Sequence, residues 1–171
     1  LNLGISIGVC QALSYFGLPE LAVKWPNDIL SEGKKLCGIL VENQLDGAQL
    51  GSTVIGIGLN VNEASFPGLP RATSMRLSTG RQFDLDEVFD ILVTFVLREI
   101  RRLDKHTLAA FQDQYQKLLF RQGVESLFEG PDQEQFRGII EGIDEHGRLL
   151  VRHLVAGNVH AYLPKQISLK Y

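Results

Sequence analysis

Two β runs, 35–45 (KLCGILVENQL) and 49–62 (QLGSTVIGIGLNVN), flank the dipeptide Asp46-Gly47. Asp-Gly between two apolar runs is a strong short-range hairpin signal, because glycine takes the positive φ that such a turn requires. This pair commits the first part of the chain to a sheet with an antiparallel core. Other elements must pack around it. Residues 3–16 (LGISIGVCQALSYF) are apolar on nearly every face, with Gly17 and Pro19 just beyond, so they predict a buried helix ending at residue 16. Leu21 to Trp25 alternates as a strand, with Leu21, Val23 and Trp25 on one face, and Pro26 ends it.

Glu63 to Gly80 contains two prolines and several Ser and Thr residues, and reads as a long loop of the kind that often carries function. A helix begins after Asp84, the N-cap, with Glu87 placed for a capping box. Its apolar positions run with helical period from Leu85 to Leu103, and a second helix spans roughly 106–119. Arg98, Arg101 and Arg102 lie near the end of the first helix, where they suit the helix dipole and read as a solvated face. After Gly123 the pattern changes to short β runs at 124–128, 135–143, 148–155 and 158–163, separated by Gly-, Pro- and Asn-containing turns. Such spacing predicts a small β-barrel or sandwich, with a domain boundary near residue 120.

Composition excludes several functions. No apolar run in the 171 residues approaches the ~20 needed to span a membrane. With 17 Lys+Arg against 20 Asp+Glu, the chain has no general attraction to nucleic acid or anionic membrane. Cys10 and Cys37 form no metal-type spacing and read as small buried hydrophobes, which makes a reducing, cytoplasmic setting the expectation. His106, His146, His153 and His160 pair with no ligand or triad partner in the sequence, so surface or packing roles are expected. No metal site is expected from the chain itself.

Gly56-Ile57-Gly58-Leu59-Asn60 fails as a dinucleotide fingerprint, since Val61 replaces the third glycine and a loop follows. Gly56 and Gly58 share one strand face. They leave room either for a flat ligand or simply for a bulge or a packed helix. Lys24-Trp25-Pro26-Asn27-Asp28 places a lysine at a strand end beside an aromatic, with Asn27 and Asp28 at the following turn. Such a fixed ammonium suits carboxylate and phosphate oxygens, although physics alone favours an exposed strand lysine followed by an Asx turn.

Lys24-Trp25-Pro26-Asn27-Asp28-Ile29, Cys37-Gly38-Ile39-Leu40-Val41-Glu42 and Gly56-Ile57-Gly58-Leu59-Asn60-Val61-Asn62 follow one another closely. Ala72-Thr73-Ser74 and the Phe136-Arg137-Gly138-Ile139 to Gly147-Arg148-Leu149 stretch extend the pattern. In this order the segments resemble biotin–protein ligases across essentially the whole chain. The resemblance implies an α+β fold: a mixed or antiparallel, class II synthetase-like sheet with packed helices over 1–120, then a small SH3-like barrel over 121–171.

It further implies ATP and biotin as substrates, Mg²⁺ assistance, biotinyl-AMP as intermediate and a biotin carboxyl carrier domain as acceptor. A homodimer is implied by analogy. Lys24 is implied as the contact to the biotin carboxylate and α-phosphate, with Gly38 and Ile39 lining the biotin pocket. Asn60 and Ser74 are implied near the adenylate, and Trp25, Asn27, Asp28, Gly56 and Gly58 as support. Two departures stand out. Cys37 occupies a position commonly glycine or alanine, and no GRGRxGR-like run occurs among the 171 residues. The chain alone is therefore expected to be the later part of a catalytic domain and not to form biotinyl-AMP. Two rival readings remain: a lipoate or octanoyl protein ligase, and a non-catalytic interaction module.

Overall fold

The computed structural model describes residues 1–46, 49–104 and 106–171. The proposed Asp46-Gly47 turn itself therefore lies partly outside the described residues, but the two strands it joins are clear. The elements are α1 (Asn2–Tyr15), β1 (Leu21–Lys24), β2 (Asp28–Ser31), β3 (Lys34–Asp46), β4 (Gln49–Leu59), α2 (Met75–Thr79), α3 (Leu85–Arg102), α4 (Leu108–Leu118), β5 (Glu125–Glu129), β6 (Gln135–Ile143), β7 (Leu149–His153), β8 (Val159–Tyr162) and β9 (Ser168–Lys170). They form an α+β fold with two antiparallel sheets, of order β1-β2-β3-β4 and β8-β7-β6-β5-β9.

Helix α1 is buried continuously from Gly4 to Cys10, as its all-round apolar sequence requires. Gly17 follows in the left-handed conformation (φ 77°) and closes the helix. The helix crosses α3 so closely that a Cβ on Gly8 would lie 2.8 Å from Val96 Cα. On the sheet, Cys37 and Ile39 turn inward to this core, together with Val23 and Ile29. Leu40 and Gly56 pair on the opposite, exposed face.

Four local expectations change. Asp28 opens a strand over 28–31 rather than lying in the turn, because it pairs directly with Lys24 across the short 25–27 connection. Residues 75–79 form a helix inside the expected loop, capped by Ser74 and ended by Gly80 at φ 76°. Five residues are too few for a hydrophobic period to show. The arginine cluster is more than a solvated face. Arg98 and Arg102 contact the fully buried Glu99 carboxylate at 3.0 and 2.9 Å, which offsets the cost of burying that charge. Finally, Asp84 caps α3 by accepting from the Asp86 and Glu87 N–H groups, with no reciprocal bond from the Glu87 side chain among the described residues.

The second sheet lies after residue 120 and packs on the first unit through α4 and the β1 end. Trp25 Nε1 donates to Gly147 O at 3.0 Å, and Phe120 N donates to Val23 O at 2.9 Å. The five strands form an open sheet with β8 and β9 at its two edges, not the closed barrel expected, because these two strands do not pair with each other among the described residues. The three-residue strand β9, not foreseen from sequence, pairs with β5 through Leu127–Lys170 and Phe128–Leu169.

Candidate active site

One row of residues crosses the whole first sheet. Lys24 on β1 pairs with Asp28 on β2, Asp28 with Gly38 on β3, and Gly38 with Gly58 on β4. Cross-strand partners share a face, so two charged residues and two glycines line up side by side. A cleft of about 600 Å³ opens over this row. Its other walls are Lys35, Cys37 and Asn60 from the sheet ends, Phe66 to Ala72 from the long loop (Pro67 excepted), and Tyr171.

The charges are organised around one carboxylate. Asp28 Oδ1 lies 2.6 Å from Lys35 Nζ, and Oδ2 lies 3.8 Å from Lys24 Nζ. Lys24 and Asp28 side chains are mostly enclosed, at 23% and 16% exposure, whereas Lys35 is half-exposed. Adding Arg71 gives the cleft lining three cations against one carboxylate. That surplus positive charge, beside the low-dielectric walls of Phe66, Leu69 and Pro70, favours an anionic ligand with an apolar part.

The glycines form the floor. A Cβ at Gly38 would sit 3.7 Å from Lys35 Nζ and 3.8 Å from Asp28 Oδ1, and one at Gly58 would lie 3.8 Å from Gly38 O. Nothing in the fold forbids side chains there; they would occupy the cleft instead. This favours the flat-ligand alternative for Gly58. Gly56 lies on the same face but opposite Leu40, outside the cleft lining.

The loop forming the far wall is tied down at several points. Lys35 N donates to Arg71 O at 2.7 Å, Thr73 N donates to Lys35 O at 2.9 Å, and Asn60 Nδ2 donates to Thr73 O at 3.0 Å. Asn60 therefore lines the cleft and also anchors its rim. On the near side, Asn27 Nδ2 donates to Ile39 O at 2.8 Å, and Ile39 N donates to Asn27 O at 2.8 Å. Asn27 thus clamps the β1–β2 connection onto β3 and holds Lys24 and Asp28 in place.

The structure brings Lys24, Asp28, Gly38, Gly58 and Asn60 together, and separates others from them. Ile39 is 2% exposed, because strand alternation turns its side chain into the core, so only its backbone is near the cleft. Trp25 faces the second sheet. Ser74 is fully buried, donates to Glu63 O at 2.6 Å and accepts from Leu77 N, which makes it a helix cap outside the cleft lining. Lys35, Arg71 and Tyr171 were missed. Lys35 follows another lysine in a strand, Arg71 sits in an irregular loop, and Tyr171 lies 100 residues further along, so only folding unites them.

Burial pushes the Cys37 thiol up to about 12, with Asp28 adding to the effect, so it stays protonated and is no nucleophile. Burial and then Asp28 likewise raise the Tyr171 hydroxyl, against opposing effects of Arg71 and Lys35. Among the described residues no three His, Cys, Asp or Glu side chains gather as metal ligands. Asp28, the cleft's carboxylate, is already engaged by two lysines. The residues present therefore do not fit a resident Mg²⁺.

Residues 3–60 match the biotin/lipoate A/B protein ligase family, and residues 128–155 match the biotin protein ligase C-terminal domain. The chain belongs to the biotin protein ligase family. It is 33% identical over 138 residues to a biotin–[acetyl-CoA-carboxylase] ligase of Paracoccus denitrificans, covering 78% of this chain and 57% of that protein. It is 30% identical over 175 residues to the bifunctional ligase/repressor BirA of Escherichia coli, covering 99% of this chain and 53% of that protein. The chain thus spans little more than half the length of these relatives. The apo biotin protein ligase of Aquifex aeolicus superposes with a TM-score of 0.82 at 25% identity, over 99% of this chain and 73% of that one. The same Aquifex enzyme in complex with biotin and ATP gives 0.79 at 26% identity, over 99% and 71%. In this family member the sheet row and the cleft lie within or next to the matched residues 3–60, while Tyr171 comes from beyond the second match.

Proposed function

We propose that the cleft binds biotinyl-AMP, in a protein that uses ATP to attach biotin to a lysine of a biotin carboxyl carrier domain. The observation that carries this reading is the Lys24–Asp28–Gly38–Gly58 row: fixed positive charge at one end, bare backbone at the other. In the first step a biotin carboxylate oxygen attacks the α-phosphorus of ATP, and the P–O bond to pyrophosphate breaks. In the second, the acceptor lysine's ε-amine attacks the acyl carbon, loses a proton and expels AMP. Neither step needs an enzyme nucleophile, in keeping with a Cys37 held as thiol.

The work left to the chain is positioning and charge stabilisation. Lys24 neutralises the oxygens shared by the carboxylate and the α-phosphate. Asp28 orients Lys24 and Lys35 through its two carboxylate oxygens. Gly38 and Gly58 let the ring system approach the sheet, and Asn60 holds the loop that covers the nucleotide. Any Mg²⁺ is assigned to the phosphates of the nucleotide, as part of the substrate. The reading takes 1–120 as the catalytic part and 121–171 as the small domain, in a cytoplasmic enzyme.

Binding of the finished intermediate is the appropriate readout, because no Gly/Arg-rich run lies within these 171 residues. Isothermal titration with a sulfamate analogue of biotinyl-AMP is expected to show saturable binding, weakened about tenfold or more in Lys24→Ala. The lipoyl counterpart, which the shared family match brings into consideration, is expected to bind more weakly. Equal or tighter binding of the lipoyl compound would reassign the substrate. Failure of both to bind would leave an interaction module as the better account.

A further inference from the structure

We infer that Tyr171 is a positioning residue through which the second sheet sets the charge geometry of the cleft; this rests on the adenylate reading above. The ring of Tyr171 lies 5.1 Å from Lys24 Nζ and 4.5 Å from Arg71 Cζ, both within the range of cation–π attraction. It thus bridges two cations that come from β1 and from the long loop, on separate walls of the cleft.

The ring is itself held in place. Strand β9 pairs with β5, and the Lys170 ammonium meets the Glu129 carboxylate at 2.7 Å, which fixes the backbone leading into Tyr171. The Phe120 ring packs edge-on against it at 5.1 Å between centroids. Phe120 in turn hydrogen-bonds through its N–H to Val23 O, one residue before Lys24. A closed circuit results: Lys24, Val23, Phe120, Tyr171 and back to Lys24. Without the ring, Arg71 would have to be ordered by the ligand and Lys24 would keep only its 3.8 Å contact with Asp28, and that added ordering lowers affinity.

The function of Tyr171 is therefore to pre-order Lys24 and Arg71 for an anionic ligand. The aromatic face is what matters, so Tyr171→Phe retains it and Tyr171→Leu removes it. In the free 171-residue protein, side-chain NMR of Lys24 and Arg71 is expected to show upfield ring-current shifts that persist in Tyr171→Phe and vanish in Tyr171→Leu. Titration with the sulfamate analogue is expected to show binding weakened about fivefold to tenfold in Tyr171→Leu, with most of it restored in Tyr171→Phe.

A thermal melt within 2 °C or so of wild type would show that the loss is not general unfolding. Ring-current shifts that survive in Tyr171→Leu, or an affinity within twofold of wild type, would overturn the inference. Wild-type protein that binds no analogue would overturn the adenylate reading instead, and the ring-current comparison would still decide whether Tyr171 orders the two cations.

Discussion

Gly38 shows how a single absent side chain serves function rather than folding. The space above it is open enough for a Cβ to make ordinary contacts with Lys35 and Asp28. Gly38→Val is therefore expected to leave stability nearly unchanged, or raise it, since β-branched residues suit strands. The added methyls fill the cleft floor, so affinity for the adenylate analogue is expected to fall at least tenfold. Paired melting and titration experiments check both halves. Lys24, Asp28, Gly38, Gly58 and Asn60 could be named from the sequence because each sits in a short contiguous motif that resembles the family's, within or at the end of a strand. Ile39 shares a motif with Gly38, and Ser74 belongs to the Ala72-Thr73-Ser74 segment, yet the pleat turns Ile39 into the core and Ser74 is buried as the cap of a five-residue helix. Motif membership places a residue near a site; only the backbone decides where its side chain goes.

Among the elements, the α1–α3 crossing bears most directly on stability. Gly8 meets the Val96 backbone so tightly that any Cβ must displace a helix. Gly8→Ala gains about 1 kcal/mol in helix propensity. The clash is against backbone, and overpacking of this kind costs about 1–3 kcal/mol. Net destabilisation of up to about 2 kcal/mol is expected, measurable by urea denaturation. The buried character of α1 was readable from its apolar faces, but its partner was not, because contact between residues 8 and 96 has no local signature.

In the second sheet, His153 stacks on Phe136 at 4.1 Å and shares a hydrogen bond with Tyr162 Oη at 2.5 Å. Burial, and then His160, lowers the pKa of His153 below its ordinary 6.5. Protonation therefore favours the unfolded chain. The stability this group contributes is present above pH 6.5 and is lost as the pH falls through the lower folded-state value. The melting temperature is expected to decline between pH 7.5 and 5.5, and to decline less in His153→Phe, which keeps the stack.

At the scale of the molecule, the cleft is assembled from three distant parts of the chain. The sheet row supplies Lys24 and the glycines, the 63–74 loop supplies Arg71, and the far end of the second sheet supplies Tyr171. The α+β class and the change of texture near residue 120 could be read from periodicity and turn residues. The convergence of the parts could not, since it depends on which edges and loops meet after folding. Among the described residues no helix is long and apolar enough to cross a membrane.

The central claim is that the face over Lys24, Asp28, Gly38 and Gly58 is the adenylate site. Amide chemical-shift mapping of the 171-residue protein with the sulfamate analogue of biotinyl-AMP tests it most directly. The largest changes are expected at Gly38, Gly58, Asn60 and Ala72, with smaller ones at Lys24 and Tyr171. Changes centred on the apolar groove between β4 and α3, around Ile57 and Leu92, or on the His153–Tyr162 cluster, would contradict the claim.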